Sequence, residues 1–162
     1  MNKICYNPIG VIHSPIKQPK GAPIQPIFAK DIVGKIELFL EYKEGLKDLE
    51  GFSHILVIYH FHKAGKSNLI VKPFLDPKPR GVFATRAPAR PNAIGISIVR
   101  LIKIEENILY VAELDIVDGT PLIDIKPYVP KFDIRKNAKA GWLEKRVEEP
   151  ITFQDDGRFS IS

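Results

Sequence analysis

From Ile94 to Val117 the chain reads as two long strands with almost nothing between them. Ile94, Ile96 and Ile98 alternate with small or polar residues, a pattern that runs to about Ile104, and Leu109, Val111, Leu114 and Ile116 mark a second apolar strand over Ile108 to Val117. Glu105, Glu106 and Asn107 leave room only for a tight connection. Two alternating strands joined so briefly predict an antiparallel hairpin.

The remaining elements fit around it. Alternation at Ile9 and Val11 predicts a short strand over Pro8 to His13, stopped by Ser14-Pro15. A loop rich in proline follows, with Pro15, Pro19, Pro23 and Pro26, and it carries Gln25 in an otherwise apolar setting. A second strand is expected from Gly34 to Tyr42, where Ile36, Leu38, Leu40 and Tyr42 recur at every second position. Gly45 to Gly51 holds one or two helical turns, with Leu46 and Leu49 facing the core. His54 to His62 is nearly continuously apolar and predicts a central strand. A short edge strand fits Leu69 to Val71, and a closing strand fits Ile151 to Phe153. With 14 prolines and only short helical signals, the fold class is mainly β, a single β-barrel or strongly curved antiparallel sheet with short helices. No Gly-x-Gly-x-x-Gly lies between a strand and a helix, which disfavours a Rossmann site.

One loop concentrates positive charge. In GVFATRAPARPNAIGISIVRL, from Gly81 to Leu101, an apolar segment over Gly81 to Ala84 leads into Arg86, Arg90 and Asn92, and Pro88 and Pro91 restrict the backbone beside Arg90. No Asp or Glu occurs between Asp76 and Glu105, so the loop suits a phosphate or a carboxylate. A proline-stiffened surface loop with solvated arginines is the bland alternative. Downstream, Asp118-Gly119-Thr120-Pro121 predicts a turn, and Asp124, Lys126 and Tyr128 share one side of the extended segment after it. His60 and His62, two apart on the expected strand, would share a face; a metal reading needs a third ligand that the sequence does not place nearby, so no metal is expected.

Net charge +5 is compatible with a polyanionic partner. The lone Cys5 forms no internal disulfide, and no apolar run is long enough for a signal peptide or a membrane span. A cytoplasmic protein without a membrane partner is the expectation.

Four segments in order resemble one family: PIGVIHSP near the start, EGFSHI through FH over Glu50 to His62, the arginine loop, and VDGTPLIDIKPYVP over Val117 to Pro130. They resemble the TrmO family of S-adenosylmethionine-dependent tRNA methyltransferases built on a β-barrel. The resemblance covers about residues 6–130 of one domain spanning 1–162, leaves 131–162 as a C-terminal extension, and is to the short, single-domain form. It implies methyl transfer from S-adenosylmethionine to N6 of threonylcarbamoyl-adenosine next to the tRNA anticodon, by a homodimer. It also implies cofactor-binding roles for Pro23, Ile24, Gln25, His62, Lys63, Arg86, Ile96, Val117, Asp118, Gly119 and Thr120. Arg86, Asp118 and Asp124 are the catalytic candidates, the two aspartates as proton acceptors, although an aspartate before glycine commonly caps its own turn. Arg90, Asn92, Lys126 and Tyr128 are candidates for contacting RNA or the flipped base. A non-catalytic RNA- or nucleotide-binding barrel is the alternative.

Overall fold

The computed structural model describes residues 3–144 and 154–161. The expected closing strand at Ile151 to Phe153 lies outside the described residues. Among the described ones, six strands close into an antiparallel barrel in the order β1 (Gly10–His13), β2 (Val33–Leu38), β7 (Ile108–Ala112), β6 (Ile94–Glu105), β3 (His54–His60) and β8 (Thr120–Pro127), with β8 returning to β1. Strands β4 (Ile70–Val71) and β5 (Arg80–Gly81) form a separate two-stranded ribbon. The helical content is short 3₁₀ turns and one four-residue helix, α1 (Pro130–Asp133). No described helix is long and apolar enough to cross a membrane.

Ile12, Ile36, Ile55, Val57, Val99, Leu109, Val111 and Leu122 fill the barrel, each supplied by the inward phase of its strand. The hairpin forms as expected, with Glu105 opposite Ile108 and Glu106 in the left-handed region between them.

Three expectations about strand ends are corrected. The second strand does not reach Tyr42: it stops at Leu38, and Leu40–Leu46 is a 3₁₀ helix. Its partner β7 begins at Ile108, and Asn107 closes the ladder by accepting from Leu38 N–H at 2.9 Å and donating its side chain to Leu38 O at 2.6 Å. Strand β7 ends at Ala112 rather than Val117, because Glu113 takes φ 63° and turns the chain out of the sheet. Strand β3 ends at His60, and His62 N–H folds back onto the His60 carbonyl at 2.8 Å, so the two histidines do not share a strand face. The segment Gly81 to Ala84 is likewise mostly a 3₁₀ turn, Val82–Ala84.

The alternation in β6 is real, but its apolar phase faces outward. Gly95, Ser97 and Val99 point into the barrel, while Ile94, Ile96 and Ile98 are 45%, 51% and 39% exposed. In register beside them on β3, Ile58 pairs with Ile96 and Leu56 with Ile98, which makes a continuous apolar stripe on the outside of the barrel.

The long connections 14–32 and 61–93 and the segment 113–119 all leave the same end of the barrel. The tail stitches two of them together: Gly21 N–H donates to Asp155 O at 2.6 Å, Asp155 N–H to Ala22 O at 2.8 Å, and Gly65 N–H to Phe159 O at 2.7 Å. Phe159 also enters a second apolar cluster with Val71, Val82, Ala87 and Ala89, with Phe74 edge-on at 5.0 Å. That cluster seats the arginine loop. Phe159→Ala is expected to cost the loop about 3 kcal/mol, the low end for a buried phenylalanine. Limited proteolysis should then cut within 61–93 while amide protection in the barrel strands persists.

Candidate active site

At this mouth the arginine loop meets the 14–32 connection. The exposed Arg86 donates from Nη1 to Gln25 Oε1 at 2.6 Å, so Gln25 fixes the guanidinium across the gap between two loops. Pro23 and Ile24 stand on the same segment, where Pro23 bridges to Gln154. Arg90 is differently employed. Its Nη1 donates to the carbonyls of Thr85 at 3.2 Å and Ala87 at 3.4 Å, which holds the loop's own curvature. Asn92 is exposed beyond it, its carbonyl accepting from Ile94 N–H at 2.7 Å.

The turn after β7 closes the opposite side. Thr120 Oγ1 donates to Val117 O at 2.6 Å and lies 3.2 Å from His62 Nδ1. With its hydrogen spent on Val117, Thr120 can only accept from the imidazole, so His62 carries its proton on Nδ1 and leaves Nε2 as an acceptor. Burial, then the charges of Lys63 and His60, pull the His62 pKa below the ordinary imidazole range, and the ring is neutral at pH 7. Lys63 donates to Lys17 O at 2.8 Å. Gly119 has φ 75°, and no atom lies within 4 Å of where a Cβ would stand, so the turn is open above its backbone.

Asp118 is occupied. It accepts from Ser14 N–H at 2.9 Å and pairs with Lys17 at 2.8 Å; the Lys17 bond first and the Ser14 bond second hold its carboxyl below the usual carboxylate range. It ties the 113–119 segment to the end of β1 and so is poorly suited to take a proton. Asp124 and Lys126 do share a face, as expected, and pair at 2.7 Å, but on the outside of the barrel beside Ile58 and Leu56. Tyr128 sits at the far end of β3, its ring edge-on to His54 at 6.3 Å. Ile96 belongs to the outer stripe. The structure therefore gathers Gln25, Arg86, His62, Lys63 and Val117–Thr120 about one mouth and leaves Asp124, Lys126, Tyr128 and the Ile96 side chain elsewhere.

Sequence reasoning missed the polar group inside that mouth. Tyr59 hydroxyl lies 3.1 Å from Ser97 Oγ, which donates to Asp115 Oδ1 at 2.7 Å. Tyr59 and Ser97 are buried, and Asp115 is half-buried. Desolvation pushes the Asp115 carboxyl up to about 6, against the lowering effects of the Ser97 bond, its own backbone N–H and Arg86. Desolvation and the neighbouring Asp115 charge likewise raise the Tyr59 hydroxyl, which stays protonated. The Arg86 guanidinium lowers both values electrostatically. Among the described residues no group of three His, Cys, Asp or Glu is placed to hold a metal ion.

Residues 11–134 match the family profile of the tRNA-methyltransferase O N-terminal domain. A probable S-adenosyl-L-methionine-binding protein of Pyrococcus abyssi is 60% identical over 96% of this chain and 85% of its own length. A tRNA (adenine(37)-N6)-methyltransferase of Escherichia coli is 37% identical over 94% of this chain and 70% of its own. The crystal structure of TrmO from Pseudomonas aeruginosa superposes with a TM-score of 0.74 at 38% identity, over 87% of this chain but only 63% of that one. The chain thus spans less than two thirds of that solved TrmO chain.

Proposed function

This chain belongs to the TrmO family, and from that premise we propose that it is an S-adenosylmethionine-dependent methyltransferase acting on tRNA, with N6 of threonylcarbamoyl-adenosine beside the anticodon as the acceptor atom. The observation that carries this reading is the single mouth in which a Gln25-held Arg86 stands with the neutral His62 and the open Val117–Thr120 turn. These residues suit the methyl donor. Arg86 offers a fork to its carboxylate, His62 Nε2 accepts from an amino or hydroxyl group, and the backbone of the Gly119 turn reaches an adenine or ribose edge. Bound there, the donor supplies a sulfonium methyl group that leaves as the sulfur becomes a neutral thioether. The chain's part is to align the acceptor with that methyl and to exclude water.

Lysines 17, 20, 63, 66 and 72 rim this end of the barrel and suit an RNA backbone. A cytoplasmic setting follows from a tRNA substrate. Titration calorimetry with S-adenosylmethionine tests the cofactor assignment: saturable binding is expected, and no heat at millimolar cofactor leaves only a non-catalytic RNA-binding barrel.

The outer stripe of Ile94, Ile96 and Ile98 with Leu56 and Ile58 supports a homodimer. Ile96→Glu, made at an exposed position, is expected to give a folded monomer by light scattering where the parent chain gives a dimer. A variant that remains dimeric would place the interface elsewhere.

A further inference from the structure

We propose that Asp115, held by Ser97 and Tyr59 inside the barrel mouth, is the proton-accepting catalytic residue of this site. The inference rests on the methyltransferase reading and deepens it.

Glu113 at φ 63° takes the chain out of β7, so 113–119 crosses the mouth instead of extending the sheet. Leu114 and Ile116 are driven into the core on either side of Asp115. Main-chain bonds fix the crossing: Leu114 N–H to Ile32 O at 3.2 Å, Asp118 N–H to Ile16 O at 2.7 Å and Gly119 N–H to Ile12 O at 2.8 Å. Asp115 is thereby carried to Ser97, whose Oγ occupies an inward position of β6 that is otherwise glycine and valine. A buried hydroxyl and phenol arranged in line toward one carboxylate position it without supplying a cation to neutralise it. Of the described residues, Tyr59 from β3, bonded to the same Ser97, and Arg86 from the 61–93 connection are the titratable or charged groups coupled to it electrostatically.

An acceptor nitrogen conjugated to a carbonyl is a weak nucleophile until its proton is removed. In the step assigned here, the N6–CH₃ bond forms as the CH₃–S bond breaks, and that bond's electron pair stays on sulfur. The N6 proton passes to the Asp115 carboxylate, which later loses it to solvent. Arg86, one loop away and oriented by Gln25 through Nη1, is assigned to hold an anionic group of either reactant. Asp118, bonded to Lys17 and Ser14, does not compete for the role.

The test uses the full-length chain with tRNA and labelled S-adenosylmethionine. Asp115→Asn is expected to lower single-turnover methyl transfer by about 10²-fold or more, with cofactor affinity kept. The parent rate should fall as pH drops through about 6, the range to which burial pushes this carboxyl; the Asn variant's residual rate should lack that acid limb. Ser97→Ala removes the bond that lowers the Asp115 pKa, so the acid limb should move to higher pH. This second variant also decides the matter if Asp115→Asn does not fold. A rate within about threefold of the parent, or an acid limb unchanged in both variants, overturns the role of Asp115. Absence of any transfer by the parent chain instead removes the methyltransferase reading beneath it.

Discussion

Arg86→Ala is expected to lose methyl transfer while its melting temperature stays where it was. The side chain is exposed, and among the described residues its one hydrogen bond is to Gln25, so truncation should change stability by no more than about 0.5 kcal/mol. Its proposed work is elsewhere. A hydrogen bond to a charged group is worth about 1.5–3 kcal/mol, so a lost bidentate contact to an anionic reactant should lower kcat/KM by about 10²-fold. Arg86→Lys should recover only part of this, since an ammonium keeps the charge but not the fork. A collapse in melting temperature with residual transfer near the parent level would make Arg86 a structural clamp between the 14–32 and 61–93 connections.

The second large effect falls on the barrel. A Cβ built at Gly95 would lie 2.3 Å from Tyr59 Cε2, 2.4 Å from Cζ and 2.9 Å from Phe61 Cζ. Tyr59 is a buried ring stacked edge-on against Phe61 at 5.2 Å, so it has no room to retreat. Gly95→Ala should therefore destabilise the fold by about 3 kcal/mol, at the upper end for overpacking a filled interior. It should also displace the Tyr59 hydroxyl from Ser97, so activity should fall further than the unfolded fraction explains. Denaturant melts give the first quantity and transfer rates on the folded fraction give the second. If the alanine variant melts with the parent chain, the ring is less confined than its contacts indicate.

Much of the barrel was legible because period-2 alternation reports strand faces directly. Ile36 and Leu38 of β2 show this, both buried as their spacing predicts, while the continuous apolar run from His54 marks its strand by length and composition. Alternation does not say which phase faces inward when one phase is isoleucine and the other is glycine, serine and valine. In β6 the small residues point in because Tyr59 from β3 fills the space above Gly95, a tertiary fact that no local pattern carries. The same limit hid the buried polar chain. Asp115 alternates with Leu114 and Ile116, so it reads as a solvent-facing residue of a strand, until the left-handed turn at Glu113 redirects it. One signal was available: Ser97 lies in the same phase as Gly95 and Val99, and a hydroxyl placed inward requires a partner. The arginine loop was easier. Its charge and prolines marked a site, but the assignment of Arg90 to the loop's own carbonyls depends on a curvature set by Ala87, Ala89 and the distant Phe159.

Nucleoside mass analysis of tRNA incubated with the purified chain and methyl-labelled S-adenosylmethionine identifies the acceptor nucleoside itself. One labelled methyl group is expected on threonylcarbamoyl-adenosine, absent when Arg86→Ala replaces the parent. Unlabelled tRNA in the presence of saturating cofactor would contradict it, and label on a different nucleoside would overturn the assigned acceptor.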